Sequence, residues 1–283
     1  MNWTARQTAL LGAMGLRLWN APASKAEVPA APALLPTTPP ARERTPATSA
    51  PAVPAPLAAS AVPVAAPVSA PLSAPFYTPV STHELQSLDW TALRSTVAAC
   101  RACGLCESRS QTVFGSGHPQ AHWMVVGEAP GEQEDLEGEP FVGPSGQLLD
   151  RMLAALKLTR AAGGPEPPSQ RVFIANTLKC RPPRNRNPTA AEMAQCEPFL
   201  VRQIELLKPR LILAMGRFAV QALLRSDEPI GKLRGRVHRY QGVPLVVTYH
   251  PAYLLRNLPD KARAWEDLCL AAEVAEAGAA PSG

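Results

Sequence analysis

The chain has 283 residues, of which 32 are proline and only 5% are aromatic, a composition that indicates a stretch without a packed core beside one or two domains. The net charge of +5 comes mainly from residues 1–82, which hold five of the 28 basic residues but only two of the 23 acidic ones. The remaining chain is nearly neutral, so overall charge does not by itself indicate a nucleic-acid partner.

The start of the chain divides into two segments. Residues 1–20 place apolar side chains along one side of a short helix that ends near Trp19, which predicts a docking helix. A secretory signal is the competing interpretation, but the apolar patch is short, is broken by two glycines and Arg17, and lacks a small-residue cleavage site. Residues 21–82 are mainly Ala, Pro, Val, Ser and Thr, and frequent proline prevents a helix, so this run predicts a disordered tether and excludes a membrane span.

Residues 83–276 are long enough for one domain with a full core, and residues 277–283 are expected to be a disordered tail. Short apolar runs predict four strands, HWMVVG, RVFIANT, RLILAMG and VPLVVTYH. Helical spacing predicts the helices HELQSLDWTALRSTVAA, PSGQLLDRMLAALKL, TAAEMAQCEPFLVRQIELLK, RFAVQALL and KARAWEDLCLAAEVAEA. This alternation predicts an α/β fold, a three-layer α/β/α sandwich around a central, mainly parallel four-stranded sheet.

Polar residues follow three of the predicted strands. Glu128, Asn176 and His250 each stand at or just beyond a strand end, where chemistry collects in parallel sheets. Each also has a plain structural interpretation: Glu128 could bind backbone amides, Asn176 could cap a turn, and His250 could be a loop residue with satisfied hydrogen bonds. Because all three follow strand ends, we expect them to lie together in one crevice and favour a functional site over three separate structural roles.

The cysteines indicate a metal site, since clustered thiols in a protein without a secretory signal are seldom disulfides. Cys100 and Cys103 form a Cys-x-x-Cys pair, while Cys180 and Cys196 lie sixteen positions apart. Four such thiolates can hold zinc or a [4Fe–4S] cluster, and spacing alone does not choose between them. Cys106 would be a fifth thiol, one more than either kind of site needs.

Four blocks, in order, resemble the family 4 uracil-DNA glycosylases, the iron–sulfur class of bacteria and archaea: the Cys-x-x-Cys pair, "GEAPGEQEDLEGEPFVGPSGQLLD", "FIANTLKCRPPRNRNP" and "HPAYLLRN". The resemblance runs from about Cys100 to Leu268. It implies a monofunctional DNA repair enzyme that flips uracil out of DNA and hydrolyses its N-glycosidic bond, leaving an abasic site for base excision repair. It also implies a [4Fe–4S] cluster, with zinc as the alternative, on Cys100, Cys103, Cys180 and Cys196.

The resemblance implies catalytic roles for two residues. The cleavage places positive charge on the sugar and negative charge on the departing uracil, so His250 is expected to donate a hydrogen bond to uracil O2. Glu128 matches an acidic residue that orients water or stabilises the cation. Ala129 stands where other glycosylase families have an aspartate, so water activation is expected to be weak and partly directed by the backbone.

Three further residues are expected to bind the base. Phe141 would stack on the flipped ring, and Asn176 would offer a donor and an acceptor to the O4/N3 edge, a pattern that cytosine reverses. Glu134 is expected to exclude thymine by blocking its methyl group.

The DNA itself is expected to contact two segments. Leu254, Leu255 and Arg256 follow His250 on a turn that would enter the gap left by the extruded nucleotide. The basic runs KCRPPRNRNP and KLRGRVHRY are expected to contact phosphates. Within the first run the expected contacts are Arg181, Arg184 and Arg186.

Two rival functions follow from the same residues. The first is a nucleic-acid-binding module in which the cysteines hold a structural zinc ion and no reaction is catalysed. Sister glycosylases that crosslink to DNA carry an Arg-rich insertion with a histidine, and none occurs between Gly143 and Leu148, so turnover is expected.

The expected setting is a monomer in the bacterial cytosol or nucleoid, acting on single- or double-stranded uracil-containing DNA without a membrane. Residues 1–20 resemble the N-terminal segment by which the ψ subunit of the bacterial clamp loader binds its partner. The expected partner of this docking helix is therefore a replication or repair protein.

Overall fold

The computed structural model describes Tyr77 and residues 81–278. The predicted docking helix at 1–20, nearly all of the predicted tether and most of the predicted tail lie outside these residues. Within them, no helix is both long and apolar enough to cross a membrane.

Six strands form one sheet in the order β1-β3-β2-β4-β6-β5. Four of them, β3, β2, β4 and β6, are parallel neighbours in the centre and correspond to the four predicted strands. The predicted central sheet of four strands is therefore confirmed, and β1 and β5 extend it by short antiparallel edge strands that were not predicted. The strands are β1 (Ser116–Gly117), β2 (Trp123–Gly127), β3 (Val172–Asn176), β4 (Leu211–Met215), β5 (Val237–Tyr240) and β6 (Val243–Thr248).

Helices cover both faces of the sheet, which confirms the predicted three-layer sandwich. Alternate residues of β2 point to opposite sides, so Met124 and Val126 join one core cluster while Trp123 and Val125 join the other. The described helices are α1 (Thr82–Gln86), α2 (Trp90–Ala99), α3 (Leu105–Ser108), α4 (Glu132–Glu137), α5 (Pro144–Ala155), α6 (Ala190–Leu207), α7 (Arg217–Leu224), α8 (Ile230–Leu233), α9 (Pro251–Arg256) and α10 (Asp260–Ala277). Helices α2, α6 and α7 pack on the first cluster, and α5, α9 and α10 pack on the second.

Local sequence fixes several helix ends. The predicted capping box of α6 is present, since the Thr189 side chain accepts from the Glu192 backbone N–H and the Glu192 carboxylate accepts from the Thr189 N–H. The single helix predicted over 83–99 is interrupted instead. Asp89 caps a new helix by accepting from the Ala92 N–H at 2.8 Å, and the Arg202 guanidinium donates to the freed Leu88 carbonyl.

Candidate active site

A cleft of about 750 Å³ lies at the carboxyl edge of the central strands. Residues that follow β2, β3, β4 and β6 line it, because the carboxyl ends of parallel strands meet at one edge. Gly127 and Asn176 are register partners in β2 and β3, which places Glu128 and Asn176 side by side. The three strand-end residues Glu128, Asn176 and His250 therefore share one cleft.

The His250 ring is held in one tautomer. His250 is the N-cap of α9, and its Nδ1 accepts a hydrogen bond from the Ala252 N–H at 3.2 Å. Burial, assisted by the nearby Arg256 charge, lowers the pKa of His250 to about 4. The neutral ring therefore carries its proton on Nε2 and can donate there. Gly216, with φ +88°, allows this packing, since a Cβ there would lie 3.1 Å from the His250 Cβ.

Phe141 is held in a left-handed backbone conformation beside His250. Its φ is +56°, and its ring stacks on the imidazole with centroids 5.4 Å apart. The Arg160 guanidinium donates to the Phe141 carbonyl at 3.0 Å, and the Glu134 carboxylate accepts from the next backbone N–H, that of Val142. These contacts stabilise a conformation that is rare outside glycine and preset the aromatic face.

Asn176 presents an unpaired acceptor to the cleft. The residue is only 3% exposed, and its Oδ1 has no hydrogen-bond partner. A buried acceptor without a partner costs about 1–3 kcal/mol, so the site is prepared for a donor from a ligand. A Cβ on Gly127 would lie 2.4 Å from this oxygen, so only glycine leaves the approach open.

A buried lysine, which the sequence analysis missed, supports Asn176 from behind. Lys179 Nζ donates to the Asn176 carbonyl and to Gln203 Oε1, each at 2.7 Å. Lys179 is 1% exposed. A fully buried charge with two acceptors fixes the backbone on which the Asn176 amide is mounted. The position directly before Cys180 was the available signal, but no local pattern shows which atoms a lysine will reach.

Two acidic residues of the cleft have different surroundings. Burial raises the pKa of Glu128, while the Arg217 charge opposes this shift. The Glu134 carboxylate instead accepts from the backbone N–H groups of Gly131, Val142 and Gly143 at 3.1, 3.2 and 3.4 Å. Glu134 therefore organises the loop that carries Phe141, and its expected exclusion of thymine stays a prediction.

Ala129 lies beside Glu128 on the cleft wall and also packs against the first core cluster. Its methyl group cannot bind water. The expected weak activation of water therefore stays a prediction.

Cysteines from three segments line a second cavity, between the loop after α2, the loop after β3, and α6. Cys180 Sγ accepts a hydrogen bond from Arg109 Nη1 at 3.0 Å, and Cys196 Sγ accepts from the Lys179 N–H at 3.2 Å. Burial raises the pKa of Cys180 to about 11 and that of Cys196 to about 12. The cysteines of the cavity are Cys100, Cys103, Cys106, Cys180 and Cys196.

Comparison with known proteins agrees with these features. The model of the uracil DNA glycosylase superfamily matches residues 114–269. A type-4 uracil-DNA glycosylase of Archaeoglobus fulgidus is 40% identical over 167 residues, which are 56% of this chain and 79% of the relative. One of Saccharolobus solfataricus is 42% identical over 172 residues, which are 58% and 76% of the two chains. One of Pyrobaculum aerophilum is 39% identical over 193 residues, which are 65% and 93%.

The chain belongs to the type-4 uracil-DNA glycosylases. The resemblance inferred from the four blocks is therefore confirmed. The cleft falls within residues 114–269, which the family model matches, as do Cys180 and Cys196 of the cysteine cavity.

The predicted contact of this glycosylase with DNA through Leu254 is wrong. Leu254 is 0% exposed and packs in the second core cluster under α9. Leu255, at 41% exposure, and Arg256 do reach the surface. Helical spacing turns these neighbours to different sides, and only Arg256 of the three lines the cleft. Tyr249 and Tyr253, which the sequence analysis did not single out, line it as well.

The arginines predicted to contact phosphates differ in whether the guanidinium is already bound to another side chain. Arg184 is exposed with φ +56°, while Arg181 Nε donates to Asn185 Oδ1 at 2.8 Å. Arg186 lines the cleft but is paired with Glu192 through two hydrogen bonds of 2.9 and 2.5 Å. In the second basic run Arg234 is bound to buried Asp267 at 3.0 Å, so this arginine stabilises the fold.

Proposed function

We propose that the protein excises uracil from DNA by hydrolysing the N-glycosidic bond, leaving an abasic site for base excision repair. The observation that carries the proposal is the pairing of an unsatisfied Asn176 Oδ1 with a neutral His250 ring at one cleft. Membership of the type-4 family supports the same reaction.

The His250 Nε2–H provides charge stabilisation where the reaction needs it. As the C1′–N1 bond breaks, negative charge develops on the uracil ring and its O2 becomes a stronger acceptor. A neutral donor fixed by the Ala252 N–H makes this hydrogen bond without losing a proton from an imidazolium. The ring is stacked on Phe141, so little reorganisation accompanies the reaction.

Asn176 and Phe141 select the base. Uracil N3–H is a donor and matches the unpaired Asn176 Oδ1, whereas cytosine has an unprotonated N3 and would leave that acceptor unsatisfied. An extruded base loses its stacking in DNA, and the preset Phe141 ring replaces part of it.

Glu128 completes the chemistry on the sugar side. Its partly buried carboxyl faces the charge of Arg217 and has a raised pKa, which suits a group that orients water and takes its proton. In the ionised form it also stabilises the positive charge of the sugar.

The reaction is tested with oligonucleotides that contain one uracil, as a single strand and opposite G or A, beside a T:G duplex. We expect release of free uracil from the first three and no release of thymine. A protein that binds these strands without releasing uracil would be the non-catalytic binding module, and the proposal would fail.

We also propose a [4Fe–4S] cluster on Cys100, Cys103, Cys180 and Cys196. The site fits such a group: four cysteines from separated segments line one cavity, two of them buried and two half-buried. The two buried sulfurs already accept N–H hydrogen bonds. Zinc stays the alternative, since four thiolates can hold either group.

The cluster would supply structural stability, since glycosidic hydrolysis transfers no electrons. The residues of the chain show where this stability would act. Cys180 directly follows Lys179, whose backbone N–H bonds to Cys196 and whose side chain holds the Asn176 carbonyl.

Cys180→Ser should therefore lose bound iron, visible absorption and thermal stability, whereas Cys106→Ser should keep all three. Four thiolates complete a [4Fe–4S] cluster, and Cys106 is the fifth cysteine of the cavity. The measurements are iron content, absorption and melting temperature of the two purified variants. Loss of iron from the Cys106 variant alone would show that the ligand set is wrong.

Three further expectations extend the proposal. The enzyme is expected to act as a monomer on single- or double-stranded uracil-containing DNA, and to do so in the bacterial cytosol. The docking of a replication or repair protein on residues 1–20 stays a prediction about a segment outside the described residues.

A further inference from the structure

The cleft wall next to His250 carries a stacked aromatic pair that the proposed reaction does not use. The rings of Tyr249 and Tyr253 have centroids 5.1 Å apart and planes 18° apart. Both residues line the cleft, and Tyr253 is 36% exposed. Because neither ring is buried in the core, the pair presents aromatic surface at the mouth of the cleft.

The outer ring is held in place by its hydroxyl. Tyr253 OH donates to Asp260 Oδ2 at 2.7 Å, and Asp260 Oδ1 accepts from Arg263 Nη1 at 2.9 Å. The stack on Tyr249 restrains the same ring from one side. An aromatic surface fixed before binding loses little conformational entropy when a planar ligand stacks on it.

A cationic side chain lies on the same side of α9. Arg256 follows Tyr253 by three residues, the spacing that places two helical residues on one face, and both line the cleft. Leu255, between them in the chain, does not line the cleft. The mouth of the cleft therefore combines a planar apolar surface with a positive charge, the two features that a nucleotide needs for its base and its phosphate.

We infer that Tyr249, Tyr253 and Arg256 form a subsite for the nucleotide next to the flipped uracil, with its base stacked on Tyr253 and its phosphate paired with Arg256. The inference rests on the proposed function. The neighbouring nucleotide is covalently joined to the uracil nucleotide, so it must pass the cleft mouth when Asn176 holds the uracil.

The subsite has a consequence for substrate choice. A base that stacks on Tyr253 must leave its neighbours in the DNA, and in a duplex it must also leave its partner strand. This cost is small in a single strand. The subsite should therefore contribute more to the binding of single-stranded than of double-stranded substrate.

The test compares Tyr253→Ala, Tyr253→Phe and the unchanged full chain on single-stranded oligonucleotides that contain one uracil. Two matched strands lack the base of the nucleotide on the 5′ or on the 3′ side of the uracil. Tyr253→Ala should raise KM on the intact strand by about 5- to 150-fold with kcat nearly unchanged, because it removes one base–aromatic stack. Tyr253→Phe keeps the ring and should keep most of the affinity.

The strands without a neighbouring base separate stacking from other effects. The unchanged protein should lose affinity on one of them by the same factor, and on that strand Tyr253→Ala should cause no further loss. If Tyr253→Ala lowers the affinity by the same factor on both of these strands as on the intact strand, the ring does not contact a neighbouring base. The inference would then fail.

Two remaining outcomes are also decisive. If Tyr253→Ala does not fold, Tyr253→Leu keeps the helix and the core and is taken through the same comparison. Uracil release that does not depend on the Tyr253 ring would overturn only the subsite, whereas no release by the unchanged protein from any strand would overturn the proposed function.

Discussion

His250→Ala should lower the rate of uracil release by about 10²- to 10³-fold, the usual effect of removing one preorganised donor from a developing anion. The loss should fall on kcat, because the hydrogen bond strengthens only as charge moves onto the uracil. Single-turnover release of uracil from a single-stranded oligonucleotide measures it directly.

A second histidine offers a matched control. His118 Nδ1 accepts from the Gln120 N–H at 3.1 Å, the same local contact that His250 makes with Ala252, but His118 follows β1 at the opposite edge of the sheet. His118→Ala should leave the rate unchanged. Equal losses in the two variants would mean that His250 supports the fold and does not act on the uracil.

The protonation state of His250 gives an independent check. Since burial lowers its pKa to about 4, the ring should stay neutral at pH values where an ordinary histidine becomes charged. The unfolded chain then binds more protons than the folded one between about pH 4 and 6.5, so this group's contribution to the free energy of unfolding increases with pH across that window. Nitrogen NMR of the ring at pH 5.5 should show Nε2 protonated and Nδ1 not, and a charged ring would contradict the proposed donor.

Asn176→Ala should also reduce excision by orders of magnitude, because it removes the acceptor and the donor that read the uracil edge. The reduction should appear as weaker binding of uracil and as slower release from DNA. Lys179 and Gln203 remain to hold the backbone carbonyl, so folding should be retained.

Abasic DNA serves as the control ligand for this variant. It has no base for Asn176 to contact, so Asn176→Ala and the unchanged protein should bind it equally well. A comparable loss of affinity for abasic and uracil-containing DNA would show that the substitution distorts the cleft, and Asn176 would then have no direct role in recognising the base.

Much of the fold follows from local sequence. β2, β3 and β4 are short apolar runs because all their residues are buried, and β6 is buried over its last four residues. Such runs can be recognised from neighbouring residues alone. The cap of α6 depends on Thr189 and Glu192, three residues apart, and is equally local. The edge strands β1 and β5 were not predictable in this way, because one has two residues and the other alternates between exposed and half-buried positions.

The sequence by itself determined the family and the placement of Glu128, Asn176 and His250 at strand ends, since motifs and apolar runs are readable within a few residues. Only the tertiary structure decided that Leu254 is core while Tyr253 faces the cleft, because packing against α5 selects which side of α9 is buried. It also decided that Lys179 holds Asn176 and that Arg234 binds Asp267. These contacts depend on the folded arrangement of the chain. The pattern of residues along the sequence does not show which group a side chain will contact.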